Sequence, residues 1–176
     1  MTQEIIARET VYQGHAFRVQ KLCVRLPDNR EREYDVVMHN DSATIVPLDK
    51  EGNIWFVTQF RMGSEEILLE LPAGVLDEGE TPEDCALREI REEIGMAAGK
   101  IQKLGAIYLA PGYSNELNHV FLATGLISSP LDADEDEFLG IAKYPLTSLN
   151  TMIAKSEITD SKSIAALSLT SIFLNK

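Results

Sequence analysis

Apolar positions recur with a period of two over most of this chain and with a period near 3.6 in three places. That pattern predicts a strand-rich protein carrying three helical segments. FRVQKLCVRL (residues 17–26) and REYDVVMH (32–39) read as strands joined at Pro27-Asp28-Asn29, giving a small antiparallel β meander over residues 1–40. ATIVPL and NIWFVTQF flank Asp49-Lys50-Glu51-Gly52, a hairpin signal. EILLELPAG is a shorter strand that leads into a glycine-containing loop and the central helix. Beyond that helix, GAIYLAPGY and NHVFLATGL read as strands, the first closed by a Pro-Gly turn. The acidic stretch LDADEDE precedes a further strand, FLGIAKYPL. Helical patterns follow around Leu146 to Ala154 and from Ser161 to Asn175, the latter with Ile164, Leu167, Ile172 and Leu174 apolar.

The central helix carries its own punctuation. Thr81 is placed as N-cap and Pro82 as first helical residue, with Asp84 three residues past the cap, where the macrodipole favours it. On a helical wheel, Ala86, Leu87, Ile90 and Ile94 form one apolar stripe, and Glu89 and Glu93 stack beside it with Glu92 on the same flank. Like charges at this spacing cost roughly a few tenths of a kcal/mol per pair without a counter-ion. Carboxylates so arranged are hard oxygen ligands suited to Mg²⁺ or Mn²⁺. Strands before and after one central helix, with a terminal helix, predict an α/β (α+β) sandwich on a mixed sheet.

A length of 176 residues fits one domain, or a core domain with a small extension. Hydrophobic and charged fractions of 44% and 25% are those of a soluble globular protein. No membrane span is expected, because no run of about eighteen apolar residues exists, and MTQEIIARET does not read as a secretory signal. Cys23 and Cys85 form no metal-type pair and are expected to be buried thiols in a reducing cytoplasm. The net charge of −12 argues against nucleic acid as a partner. Between Gly74 and Met96 eight acids face two arginines, so an anionic substrate there requires bound cations to invert the local charge.

Gly74, Glu80, Arg88, Glu89, Ile90, Glu92, Glu93, Gly95 and Met96 stand at the nine positions of the Nudix box, with no departure. The chain therefore resembles the Nudix hydrolases, which cleave a nucleoside diphosphate linked to another moiety. ELPAG (70–74) directly upstream, Pro111 fifteen residues after Met96, VTQFR (57–61) and EITDSKSIAAL (157–167) narrow the resemblance to the ADP-ribose and nucleoside-diphosphate-sugar pyrophosphatases. Tyr113, seventeen residues past the box, is instead where dinucleoside-polyphosphate hydrolases place a tyrosine.

The resemblance implies an α/β/α sandwich over residues 41–176, with residues 1–40 serving dimerisation and substrate base contact. It further implies two to three Mg²⁺ or Mn²⁺ ions held by Glu89 and Glu93, with Glu92 secondary and the Ala73 carbonyl completing the shell. Arg88 is expected to pair with and orient a box carboxylate, and Glu80 to brace the loop. A glutamate beyond the box activates water in this subfamily, which makes Glu135 and Glu137 candidates, with Asp134 and Asp136 as further ligands. Arg61 is a candidate phosphate contact or a surface salt bridge. Phe17 and Tyr34 are candidates to stack on the base, or are core; Glu116 is a candidate contact to ribose or metal. The expected activity is hydrolysis of a nucleotide sugar by a cytoplasmic homodimer. Alternatives are a dinucleoside-polyphosphate or GDP-sugar hydrolase, and a non-catalytic nucleotide sensor.

Overall fold

A computed structural model describes residues 2–131 and 139–175 of the chain. They form two compact units, residues 1–40 with 108–117, and residues 41–107 with 118–176.

The first unit is built on an antiparallel sheet of β1 (Glu4–Gln13), β2 (Arg18–Arg25) and β3 (Glu31–Met38), in that order. The turn between β2 and β3 closes through Leu26 N donating to the Arg30 carbonyl at 2.8 Å. Asn29 there takes φ 65°, a conformation that Asn tolerates. Strand β1 left no signature in the sequence for two physical reasons. Nearly all of its residues are exposed, so neither face demands apolar side chains, and two register shifts interrupt its pairing with β2. In the same unit, residues 110–114 form a turn that is zipped to β3. Val37 N donates to the Tyr113 carbonyl at 2.7 Å, and the Asn115 side chain bonds both the N–H and the carbonyl of His39.

The second unit contains β4 (Ser42–Pro47), β5 (Asn53–Arg61), β6 (Glu66–Glu70), β7 (Ala73–Val75), α1 (Pro82–Ile94), β8 (Met96–Ala97), β9 (Lys100–Tyr108), β10 (Leu117–Thr124), β11 (Ile127–Ser128), β12 (Gly140–Pro145), α2 (Leu149–Ala154) and α3 (Ser161–Leu174). One sheet runs β7-β4-β10-β9, with β4 parallel to β10 and antiparallel to β7; a second runs β12-β5-β6, all antiparallel, and β8 pairs antiparallel with β11. Residues 49–52 do form the expected tight turn, held by the Asp49 carboxylate, which accepts from Glu51 N, Asn53 N and Trp55 Nε1. The strands it joins nevertheless part into different sheets, leaving a single bridge between Leu48 and Ile54. All six positions of β4 are buried, and its two backbone edges are taken by β7 and β10, so no edge is left for β5.

Alternation along β4 and β10 sorts side chains into two layers. Ala43, Ile45, Phe121 and Ala123 pack with Cys85, Ala86, Ile90 and Ile94 of α1. Val46, Val120 and Leu122 pack with Leu149 and Met152 of α2 and Ala166 and Leu167 of α3. Helices on opposite faces of a mixed sheet make the expected α/β/α sandwich. No described helix is long and apolar enough to cross a membrane.

Helix α1 starts and stops where its sequence says. Thr81 Oγ1 accepts from Asp84 N at 3.2 Å, Pro82 occupies the first turn, and Gly95 caps the C-terminus in the left-handed region at φ 69°. Replacing Thr81 by Ala is expected to cost about 1 kcal/mol. In thermal denaturation that corresponds to a midpoint lower by roughly 2–4 °C.

Candidate active site

The loop from β6 into β7 is held at every residue. The Glu70 side chain is gripped by Arg61 and Lys162, Leu71 N donates to Ser163 Oγ at 2.8 Å, and the Pro72 carbonyl accepts from Ile45 N at 2.9 Å. Ala73 N then donates to Glu93 Oε2 at 3.0 Å. Gly74 follows, beneath the Glu89 carboxylate: a Cβ built on Gly74 would fall 1.7 Å from Glu89 Oε1. Only glycine permits that approach.

The α1 carboxylates converge on this pinned backbone. Glu89 and Glu93 are buried, 8% and 5% exposed. Glu93 is met by Ala73 N, and Glu89 by the guanidinium of Arg88. Its Nε and Nη2 grip the two oxygens of Glu80 at 2.9 Å each, and Nη1 reaches Glu89 Oε1 at 2.5 Å and Glu92 Oε2 at 2.8 Å. Hydrogen bonds to Glu80 first, then to Glu92 and Glu89, hold the guanidinium charged well above its ordinary range. The Arg88 fork in turn holds the Glu80 carboxyl below the usual carboxylate range. Glu80 also accepts from Asp77 N at 3.0 Å, which closes the loop ahead of the helix. Cys85, fully buried behind this array, donates to the Gly74 carbonyl at 3.6 Å, and burial followed by the charges of Glu89 and Glu80 pushes its thiol up to about 12. It is no nucleophile at neutral pH.

Among the described residues, no three carboxylates, histidines or cysteines converge at metal-holding spacing, and Arg88 and the Ala73 N–H each hold an oxygen of the α1 carboxylates. The donor set nevertheless suits a hard divalent cation. Glu89 and Glu93 lie one helical turn apart with Glu92 between them, and the Gly74 cradle brings backbone against carboxylate.

Other candidates distribute as follows. Arg61 presents Nε and Nη2 to the Glu70 carboxylate at 2.8 and 2.7 Å, so its partner is a carboxylate 1% exposed rather than a surface one. Phe17, Tyr34, Pro111 and Glu116 belong to the first unit. Phe17 and Tyr34 are 42% and 45% exposed and therefore not core; Pro111 sits in the exposed turn, and Glu116 Oε2 lies 3.9 Å from His39 Nδ1. Asp134, Glu135, Asp136 and Glu137 lie outside the described residues.

The residue that sequence reasoning did not single out is Glu70. Burial pushes its carboxyl up, but the Arg61 and Lys162 cations outweigh this and hold it below the ordinary value of 4.5. Such a group stabilises the fold fully above that value and loses its contribution as pH falls through its folded pKa. Unfolding free energy, measured by urea titration at successive pH values, is therefore expected to drop as pH is lowered below about 4.5. In Glu70→Gln the drop is expected to be shallower.

A sequence model of the NUDIX domain matches residues 38–167. The chain belongs to the Nudix family. It is 34% identical to an ADP-ribose pyrophosphatase of Bacillus subtilis (strain 168), over 95% of this chain and 91% of that one. It is 37% identical to an ADP-ribose pyrophosphatase of Mycobacterium tuberculosis, over 93% and 81%. A GDP-mannose pyrophosphatase of Yersinia enterocolitica is 33% identical over 86% of each chain. The fold matches a crystal structure of an ADP compounds hydrolase with a TM-score of 0.90, covering 99% of this chain and 95% of that one at 24% identity. The Nudix box thus sits in a Nudix fold, and the chain is a Nudix pyrophosphatase, a hydrolase.

Proposed function

We propose that this Nudix enzyme hydrolyses the diphosphate bond of ADP-ribose or a related nucleoside diphosphate sugar, releasing a nucleoside monophosphate and a sugar phosphate. The observation that carries this reading is the set of α1 carboxylates laid over the pinned ELPAG backbone, in a chain similar to ADP-ribose pyrophosphatases along nearly its whole length. Glu89 and Glu93 would hold the divalent ions, with Glu92 secondary and the Ala73 carbonyl completing the set. Bound Mg²⁺ or Mn²⁺, two to three ions per site, would supply charge neutralisation at the diphosphate and an acidified water. Arg88 pairs with the box carboxylates and orients them. Arg61 contacts a substrate phosphate, Glu135 or Glu137 takes the proton of the attacking water, and Glu116 contacts ribose or metal. Phe17 or Tyr34 stacks on the base, and Pro111 is a further substrate-binding residue.

A GDP-sugar is the second reading, favoured by similarity to GDP-mannose pyrophosphatases at 30–34% identity. Incubating the protein with ADP-ribose, GDP-mannose and a dinucleoside polyphosphate, each with Mg²⁺, and following nucleoside monophosphate release separates these readings. AMP from ADP-ribose at the highest kcat/KM is the expected result. No release from any substrate would leave a nucleotide sensor.

The protein is proposed to act as a homodimer through the first unit. Ile5, Val11, Tyr12, Phe17 and Tyr34 are all more than 40% exposed there, and β1 ends its sheet with an open edge. Free Cys23 and Cys85 support a reducing, cytoplasmic setting.

A further inference from the structure

Three elements meet at one carboxylate, two of them adjacent strands and the third 92 residues away. Glu70, at the end of β6, accepts the Nε and Nη2 edge of Arg61 from β5 and an ion pair from Lys162 in the first turn of α3. Lys162 also pairs with Asp160 at 3.0 Å, and Asp160 caps α3 by accepting from Ser163 N at 2.9 Å. Two cations therefore face two anions. The exposures are unequal: Glu70 is 1% exposed, Lys162 13% and Arg61 40%. Lys162 alone would neutralise the buried carboxylate. Arg61 brings a second cation to the same carboxylate through Nε and Nη2, while its side chain stays 40% exposed. The negative charges of Glu93 and Asp160 also act on that guanidinium, after the dominant hydrogen bonds from Glu70.

We propose that Glu70, backed by Lys162, is a positioning residue that clamps one edge of Arg61 and thereby presents the other to the substrate diphosphate. The inference rests on the proposed function, in which Arg61 meets a phosphate. The same short segment orients Glu93 through Ala73 N, so the clamp sets the phosphate contact and a carboxylate ligand from one piece of backbone.

The test compares Glu70→Gln, Lys162→Gln, Arg61→Lys and the double variant Glu70→Gln/Arg61→Lys. KM and kcat are measured for ADP-ribose with Mg²⁺, together with Kd by calorimetry for a non-hydrolysable methylene analogue of ADP-ribose in the same Mg²⁺ buffer. Losing one charge-assisted hydrogen bond predicts that Glu70→Gln raises KM and Kd about tenfold, with kcat falling less. Lys162→Gln is expected to raise both at least about threefold. The double variant is expected to be no worse than the more affected single variant, because both changes remove one contact. A residue that only holds the fold together would lower the melting temperature and leave KM and Kd unmoved. KM and Kd within about twofold of wild type, or effects that multiply in the double variant, overturn the proposal. If Glu70→Gln does not fold, Lys162→Gln decides by the same criterion. Wild-type protein that binds ADP-ribose without cleaving it defeats the functional reading alone, and the Kd comparison still decides this one. Wild-type protein that neither binds nor cleaves overturns both.

Discussion

Replacing Glu93 by Gln is expected to lower kcat for ADP-ribose hydrolysis by at least about 10²-fold, the scale on which preorganised electrostatic stabilisation acts. The change is close to isosteric. A Gln amide oxygen can still accept from Ala73 N, now at 3.0 Å from Glu93 Oε2, so the loop stays anchored and the loss falls on charge. Nucleotide release and the melting temperature together check this: activity should collapse while the melting temperature moves little. Turnover at the wild-type rate would remove α1 from the chemistry and leave its acidity without a catalytic purpose.

Gly74→Ala is expected to be as damaging through geometry alone. The added methyl would lie 1.7 Å from Glu89 Oε1 and 2.0 Å from its carboxyl carbon, distances no side chain sustains. Helix α1 is fixed by its caps and by the apolar layer under it, so the Glu89 carboxylate has to leave. Misplacing a reacting or metal-holding group by about 1 Å costs on the order of 10²-fold. Steady-state kinetics should therefore show that loss in kcat. A variant with normal kcat would mean that Glu89 does not need its seat against the backbone.

The helix bearing the site was legible because its signals are local. Thr81, Pro82 and Gly95 sit within a single segment, and so do Arg88 and the two α1 carboxylates it meets, Glu89 and Glu92. What the sequence concealed was long-range. Glu70 looks like one more polar residue in a short strand, and its meaning lies in Lys162, 92 positions away. The motifs around Arg61, Glu70 and Lys162 could each be read as family markers, yet nothing in their spacing says that they share one carboxylate. Strand β1 was hidden because alternation signals a buried face and it has almost none. The parting of β4 from β5 was hidden because a turn reports chain reversal, not which neighbour each strand takes afterwards.

The layer between α1 and the sheet sets small side chains among its large ones: Ala43 and Ala123 from the sheet, Ala86 and Cys85 from α1, beside Ile45, Phe121, Ile90 and Ile94. With alanines on both sides of this contact, α1 lies where the Glu89 carboxylate sits against Gly74 and Glu93 meets the Ala73 main chain. Core volume here is consequently a working dimension of the enzyme. A valine at position 43 or 86, remote from any reacting atom, would lift the helix like a shim and draw the acids off their seats, so harmless-looking interior changes in this layer amount to changes of the chemistry itself.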